Sequence, residues 1–384
     1  MIRNLHLMID VDQSNWYVEK CCKYASESND TFITFSDDAK NVKHPRLLAV
    51  KPTPLEYDRI AAEVNQGVYQ QVIINYFDYP AAELVSRIHN PETAIIWMIW
   101  GADLYMLPFF WNKIYDPFAM QWAGITRWTH YRKMFRLWKR RVRHGMKDHT
   151  FLYKAMGKVT HGATLVTYDV DLARKHLSKR IIQIPLSFSG IEDFIQAAPN
   201  VNAPKLSTIQ IGNSADPANN HVEMLRLLSK MEITNQIFIP AAYGAKSYST
   251  VLQEEAAKVL PNGQVEFQVE YISKQAYFEQ LSNTGFAIMG HIRQQAFANI
   301  VALLYFGAKV FLRERNPLFH LYRSWGVTLY SVERDLNKAA LEAPLDVEQR
   351  AANRKAIEEH LSEERMRGYY RNLMLESHMK NQEK

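Results

Sequence analysis

Cysteine is nearly missing from this chain of 384 residues: only Cys21 and Cys22 occur, side by side. Adjacent cysteines bridge one another poorly, so no disulfide framework is expected and a reducing compartment fits. Long apolar runs are missing too. None approaches the roughly 20 residues that span a bilayer. The opening MIRNLHLMIDVD runs into acidic residues with no small-residue cleavage site, and reads as a first strand rather than a signal peptide. Several chemical signatures are absent. There is no GxGxxG fingerprint and no P-loop, no GxSxG elbow, and no His or Cys spacing of metal-ligand type. No metal and no cofactor are expected. Acidic residues are also absent between Asp116 and Asp148.

That last gap is filled by the opposite charge. Arg127, Arg132, Lys133, Arg136, Lys139, Arg140, Arg141, Arg143 and Lys147 all lie in it, against a net charge of +6 for the chain, so the remainder is net negative. The basic character is local and points to a local partner. Within the same stretch Trp128, Tyr131, Phe135, Trp138 and Val142 recur at steps of three and four, one stripe of a helix. A basic amphipathic helix with an aromatic stripe is the pattern of interfacial membrane binding, where each cation near an anionic leaflet contributes about 1 kcal/mol. A buried stripe with a solvated basic face is the plainer alternative. Nucleic acid is the third reading, but no nucleic-acid motif accompanies the charges. Trp111, Tyr115, Phe118 and Trp122 continue the helical spacing upstream.

Hydrophobic residues make up 47% and charged residues 22%, a globular balance, and the length suits two domains. The first half alternates strand-like and helix-like stretches. Strands are expected at 5–9, 31–36, 71–77, 94–100, 164–169 and 181–186, with helices between, which describes a doubly wound α/β sheet. QAAPNVNAPKL (196–206) has no periodicity and reads as a linker. The alternation then restarts, with strands at 208–211, 236–240, 265–271, 286–291 and 309–314. Two Rossmann-like domains in tandem, 1–195 and 207–342, facing across a cleft, would be a GT-B architecture. A charged helical tail follows over 343–384.

Candidate functional residues lie where predicted strands end. Gly212-Asn213-Ser214 follows a strand and precedes a helix expected near Asn219 or Asn220; glycine lets backbone approach a phosphate, and a helix N-terminus attracts anions. A plain turn with an asparagine cap explains the same residues. In HIRQQAFANI (291–300), Arg293 suits a pyrophosphate and Gln294 or Gln295 a base or sugar hydroxyl. Asp103, in WGADLY, is either a general base for an acceptor hydroxyl or a helix cap. Asp10-Val-Asp12 and Asp169-Val-Asp171 match the metal-sugar DxD pattern, but helix capping is the better explanation of both.

WGADLY, IGNSADPANNH, the IPAAYG turn and IRQQAFANI followed by GAKVFLRERNPLF together resemble the TDP-N-acetylfucosamine:lipid II N-acetylfucosaminyltransferases. These are 4-alpha-L-fucosyltransferase-like proteins, glycosyltransferase family 56. The resembling motifs run from about residue 95 to 330; the first 90 residues and the tail resemble the family only in architecture. The resemblance implies a GT-B glycosyltransferase that needs no metal. The donor would be a nucleotide-sugar held by the second domain, and the acceptor a polyprenyl-diphosphate-linked saccharide at the cytoplasmic face of the membrane, in enterobacterial common antigen synthesis. It implies that Gly212, Asn213, Ser214 and Arg293 meet the donor diphosphate, and that Gln294, Gln295 and Asn299 meet the nucleotide or sugar. Tyr243 and His221 are further donor candidates, and Asp103 faces the acceptor. Arg127, Trp128, Arg132, Lys133, Arg136, Trp138, Lys139, Arg140 and Arg141 are the expected membrane or lipid contacts. Other readings are an epimerase-like enzyme on the same fold or a non-catalytic sugar-nucleotide-binding protein.

Overall fold

The computed structural model of the chain describes residues 2–105, 107, 110, 114–123, 149–195, 207–260 and 263–376. The expected basic aromatic helix, with all nine of its membrane candidates, and the expected linker lie outside these residues.

The described chain falls into two compact units. The first contains seven strands: β1 (Arg3–Met8), β2 (Asn29–Phe35), β3 (Leu47–Val50), β4 (Gln71–Ile74), β5 (Ala94–Met98), β6 (His161–Ala163) and β7 (Ile182–Ile184). They pair in the order β3-β2-β1-β4-β5-β6-β7, every described pairing parallel. Helices α1 (Asp12–Tyr24), α2 (Pro54–Asn65), α3 (Tyr79–Arg87) and α4 (Ala102–Tyr105) belong to it, whereas α5 (Pro117–Trp122) belongs to the second unit. The first unit resumes with α6 (His149–Met156) and α7 (Thr167–His176).

The second unit has β8 (Ile209–Ile211), β9 (Ile237–Pro240), β10 (Val265–Gln268), β11 (Phe286–Met289), β12 (Lys309–Leu312) and β13 (Tyr330–Ser331), in the order β10-β9-β8-β11-β12-β13. Its other helices are α8 (His221–Lys230), α9 (Lys246–Val259), α10 (Lys274–Asn283), α11 (Phe297–Phe306), α12 (Pro317–Ser324), α13 (Lys338–Glu342) and α14 (Val347–Leu361). A last helix, α15 (Glu363–Arg371), returns to the first unit.

Both sheets follow from their sequences. Parallel strands are covered on both faces, so they read as continuous apolar runs. β4, β5, β9, β11 and β12 are buried at every position, each large aliphatic side chain contributing about 1.5–3 kcal/mol. Four helix starts share a device, a polar residue with proline just inside. Thr53, Asp78, Asp116 and Asn316 each accept a hydrogen bond from a first-turn amide, with Pro54, Pro80, Pro117 and Pro317 following.

The structure corrects several expectations. The stretch 164–169 is not a strand: β6 is the shorter His161–Ala163, and α7 starts at Thr167. β-branched Val166 and Thr167 mimic a strand. The real one is short and has glycine at its centre, where a Cβ on Gly162 would already meet Ile99 and Ile181 side chains at 3.2 and 3.3 Å. Strands β3 and β13 were not foreseen. Tyr115 is outside helix, since α5 begins only at Pro117.

The expected tail is two things. α14 packs on α11, with Tyr305 donating to Glu358 (2.9 Å) and Asn353 bridging the backbone of Thr328. α15 and the turn after it complete the first core, where Met366, Tyr370, Leu373 and Met374 are fully buried against Tyr17, Tyr24 and Phe32. The units therefore cut across the boundaries read at 195 and 342: residues 114–123 fold with the second unit, and 363–376 with the first.

Candidate active site

In the second unit the chain runs outward through β8, β9 and β10, then resumes on the other side of β8 with β11. Strand order thus reverses between β8 and β11, and open α/β sheets bind ligands beyond the carboxyl ends of the strands at such a reversal. The two motif-bearing loops of the sequence, 212–220 after β8 and 290–296 after β11, leave the sheet at that point.

The β8 loop turns at Gly212, whose φ of +64° favours glycine. A Cβ there would lie 2.7 Å from His221 Nε2 and 2.9 Å from Asn219 Oδ1. Ser214 is buried, and Asn219 Nδ2 donates to its carbonyl at 3.0 Å. Asp216 caps the short turn 217–219. Asn220 then adopts a left-handed conformation (φ +54°) before α8. It does not cap that helix with its side chain, contrary to the asparagine-cap reading.

The β11 loop is tied to the β8 loop twice. Arg293 Nη2 pairs with Asp216 Oδ2 at 2.9 Å, and Gln295 Nε2 donates to Asn213 Oδ1 at 3.2 Å. Asn316 Nδ2 fixes the loop from below through the carbonyls of His291 (3.0 Å) and Arg293 (2.9 Å). The structure therefore brings Gly212, Asn213, Ser214, Arg293 and Gln295 together. Gln294 is buried beside them, and Asn299 is half-buried in the first turn of α11.

Arg293 is not free to wait for an anion. It is held by Asp216 and by the Gln294 carbonyl (3.1 Å), so an incoming phosphate takes the guanidinium over from a carboxylate. Tyr243 is 80% exposed in the turn after β9, where its carbonyl accepts from Ala215 N at 2.7 Å. His221, a donor candidate of the sequence, stands directly against Gly212. It is fully buried, its Nδ1 lies 3.3 Å from the Tyr248 hydroxyl, and burial pushes its pKa down to about 3, so it is a neutral wall behind Gly212. His291, also fully buried, is pushed down to about 3 by burial and by the cations Arg293 and Arg313. Asp216, Asn220 and His291 were legible only as motif letters, and nothing in the sequence linked Tyr115 to this loop.

Asp103 belongs to the first unit. It lies after β5, is 4% exposed, and its carboxylate is engaged by four donors: Trp97 Nε1 (2.6 Å) and the amides of Phe77 (3.4 Å), Trp100 (3.2 Å) and Leu104 (3.1 Å). Burial outweighs these bonds and raises its pKa to about 6. This geometry holds the turn at Trp100.

The DxD carboxylates are engaged as well, though not as caps: the N-cap positions of α1 and α7 are Val11 and Val166, with no side-chain cap. Asp10 accepts from Ser36 Oγ, Lys40 N and Asn41 N, Asp12 pairs with Lys43, Asp169 accepts from Tyr105 and Asp171 pairs with Arg174. Among the described residues no three His, Cys, Asp or Glu are grouped to hold a metal, and no helix is long and apolar enough to cross a membrane.

Similar solved structures include a glycosyltransferase from Rickettsia africae ESF-5 (10% identity, TM-score 0.62, 98% of this chain and 99% of that one). Anabaena HepE in complex with UDP and glucose is similar to the same degree (10%, TM-score 0.62, 99% and 100%). A UDP-forming trehalose-phosphate synthase from Burkholderia xenovorans is similar at 10% identity and a TM-score of 0.61 over 99% of both chains. These likenesses show the fold, which is GT-B. The family model of the 4-alpha-L-fucosyltransferases, glycosyl transferase group 56, matches residues 133–353, more than half of the chain. The chain belongs to that family and is a glycosyltransferase.

Proposed function

We propose that this glycosyltransferase moves a deoxy, N-acetylated amino sugar from a nucleoside diphosphate, TDP-N-acetylfucosamine or a close relative, to a polyprenyl-diphosphate-linked saccharide. The step belongs to bacterial surface polysaccharide synthesis of the enterobacterial common antigen kind, at the cytoplasmic face of the membrane. The oxygen of an acceptor hydroxyl attacks the anomeric carbon and its proton is released to solvent, the bond from that carbon to the β-phosphate oxygen breaks, and the nucleoside diphosphate leaves.

One observation carries the donor half of this reading: two anion-suited loops, tied by Arg293–Asp216 and Gln295–Asn213, stand at the β8/β11 strand-order reversal. In the proposed complex, Arg293 exchanges Asp216 for the diphosphate. Backbone at Gly212, Asn213 and Ser214 approaches the phosphates, Gln294, Gln295 and Asn299 meet the nucleoside or sugar, and the exposed Tyr243 ring offers the base a stacking face. Anabaena HepE, with UDP and glucose bound, is a relative by fold that supports a nucleotide-sugar donor. Arg293 supplies the positive charge that a metal supplies in a DxD enzyme, and both DxD pairs are engaged within the protein. Asp103 is assigned the positioning of the Trp100 turn on the acceptor side. Residues 127–141 supply the anionic-membrane and lipid-diphosphate contacts.

A thermal-shift titration with TDP, UDP, GDP, CDP and ADP, with and without magnesium, tests this. A ligand at 100 times its Kd stabilises by about 2.7 kcal/mol. Selective stabilisation by TDP or UDP without magnesium, lost in Arg293→Ala, is the expected result. No response to any nucleotide refutes the donor site.

A further inference from the structure

Residues 114–123 come from the first half of the sequence but fold with the second unit. The residue that holds them there is Asn220. It is 1% exposed, and its side-chain amide makes three hydrogen bonds. Oδ1 accepts from Asp116 N at 2.8 Å, and Nδ2 donates to Gly290 O at 2.9 Å and to Ile114 O at 3.5 Å. One amide thus joins the β8 loop, the end of β11 and both neighbours of Tyr115. Asparagine suits the position, because it tolerates the left-handed backbone while carrying a donor and an acceptor. Further along, the ring of Trp122 meets that of Tyr248 edge-on at 4.9 Å, and Phe118 carries the Arg226 guanidinium at 5.5 Å.

A connector needs no such set of anchors, and what they place is Tyr115. It is half-buried, between two clamped neighbours, beside the loop in which Asp216 holds Arg293. Burial, together with the charge of Asp216 and against that of Arg293, raises its pKa and keeps its phenol protonated. A protonated phenol donates to an anionic oxygen.

We infer that Tyr115 is a donor-site residue whose O–H donates to a phosphate oxygen of the nucleoside diphosphate beside Arg293, and that Asn220 is the positioning residue that holds it there. This inference rests on the reading of the β8/β11 loops as the donor site. Tyr115 would then make the leaving diphosphate, rather than the base, the feature recognised by this segment.

Calorimetric titration of Tyr115→Phe, Asn220→Gly and the wild type with TDP and UDP, and with thymidine and uridine, tests it. Glycine keeps the left-handed backbone at 220 while removing the clasp. The expected result is a loss of about five- to tenfold in diphosphate affinity in Tyr115→Phe with nucleoside affinity unchanged. Asn220→Gly should reproduce that selective loss. Equal diphosphate affinity in Tyr115→Phe and wild type, or parallel losses for diphosphate and nucleoside, overturns the assignment. If the wild type itself binds no nucleoside diphosphate, the donor-site reading falls and this inference with it; wild-type binding unaltered by Tyr115→Phe sinks the inference alone.

Discussion

Acid should unfold the second unit first, and the reason lies in two buried histidines. His221 and His291 are each fully buried, with pKa values pushed from 6.5 to about 3. Between those values the unfolded chain binds a proton on each ring and the folded chain does not. Stability therefore falls as pH drops through this window, by about 1.4 kcal/mol per pH unit per group. At pH 5 each histidine costs the second unit about 2 kcal/mol relative to pH 7 and above. The first unit responds with the opposite sign. Asp103 is raised from 3.8 to about 6 by burial, so the folded state holds its proton where the unfolded state has lost it. That stabilisation is complete below 3.8 and lost as pH rises through 6, and at pH 5 it is about 1 kcal/mol. Asp78 is displaced in the same direction by burial. Hydrogen exchange read peptide by peptide, corrected for the intrinsic pH dependence, resolves the two units. From pH 7 to 5 the free energy of opening should fall by about 4 kcal/mol in peptides of β8, β9 and β11 and hold or rise in those of β4 and β5. The doubly substituted His221→Gln/His291→Gln protein should lose most of that slope. Equal destabilisation of both units, or an unchanged slope in the double variant, refutes the reasoning.

Other substitutions have separate outcomes. Asp103→Asn places an NH2 group against two of four donors, at about 1–3 kcal/mol, and denaturant unfolding should show the loss in the first unit. Tyr370→Ala empties a fully buried ring site beside Tyr17 and Tyr24 and should cost about 3–5 kcal/mol, again in the first unit only; an unaffected midpoint would mean that α15 is dispensable. Gly244→Ala has no room, since its Cβ would lie 2.5 Å from the Ala215 carbonyl at a φ of +120°. It should displace the Tyr243 turn from the β8 loop and weaken nucleoside and diphosphate binding together.

The sequence by itself determined the class of fold and the family. Buried parallel strands must be apolar throughout, and loops at strand ends carry the polar and glycine residues that ligands need, so both kinds of segment are visible as local patterns. The run IIWMIWGADLY shows its strand and its turn without help from any other part of the chain. Yet the two-faced role of Asp103 did not resolve there, because a cap, a base and a buried turn-holder share one letter, and the difference lies in Trp97 and Phe77 closing over it. The short strand His161–Ala163 also escaped, the glycine at its centre being set by neighbouring Ile99 and Ile181. What only the tertiary structure decided is which distant segments share a site and a core. Arg293 meets Asp216 across 77 positions, Asn220 meets Asp116 across 104, and Asn4 meets the Met374 carbonyl across 370. Pairings at such separations leave no periodicity in the chain. They arise in three dimensions: strand order places β8 beside β11, and packing of the first core draws the last helix back to the first strand.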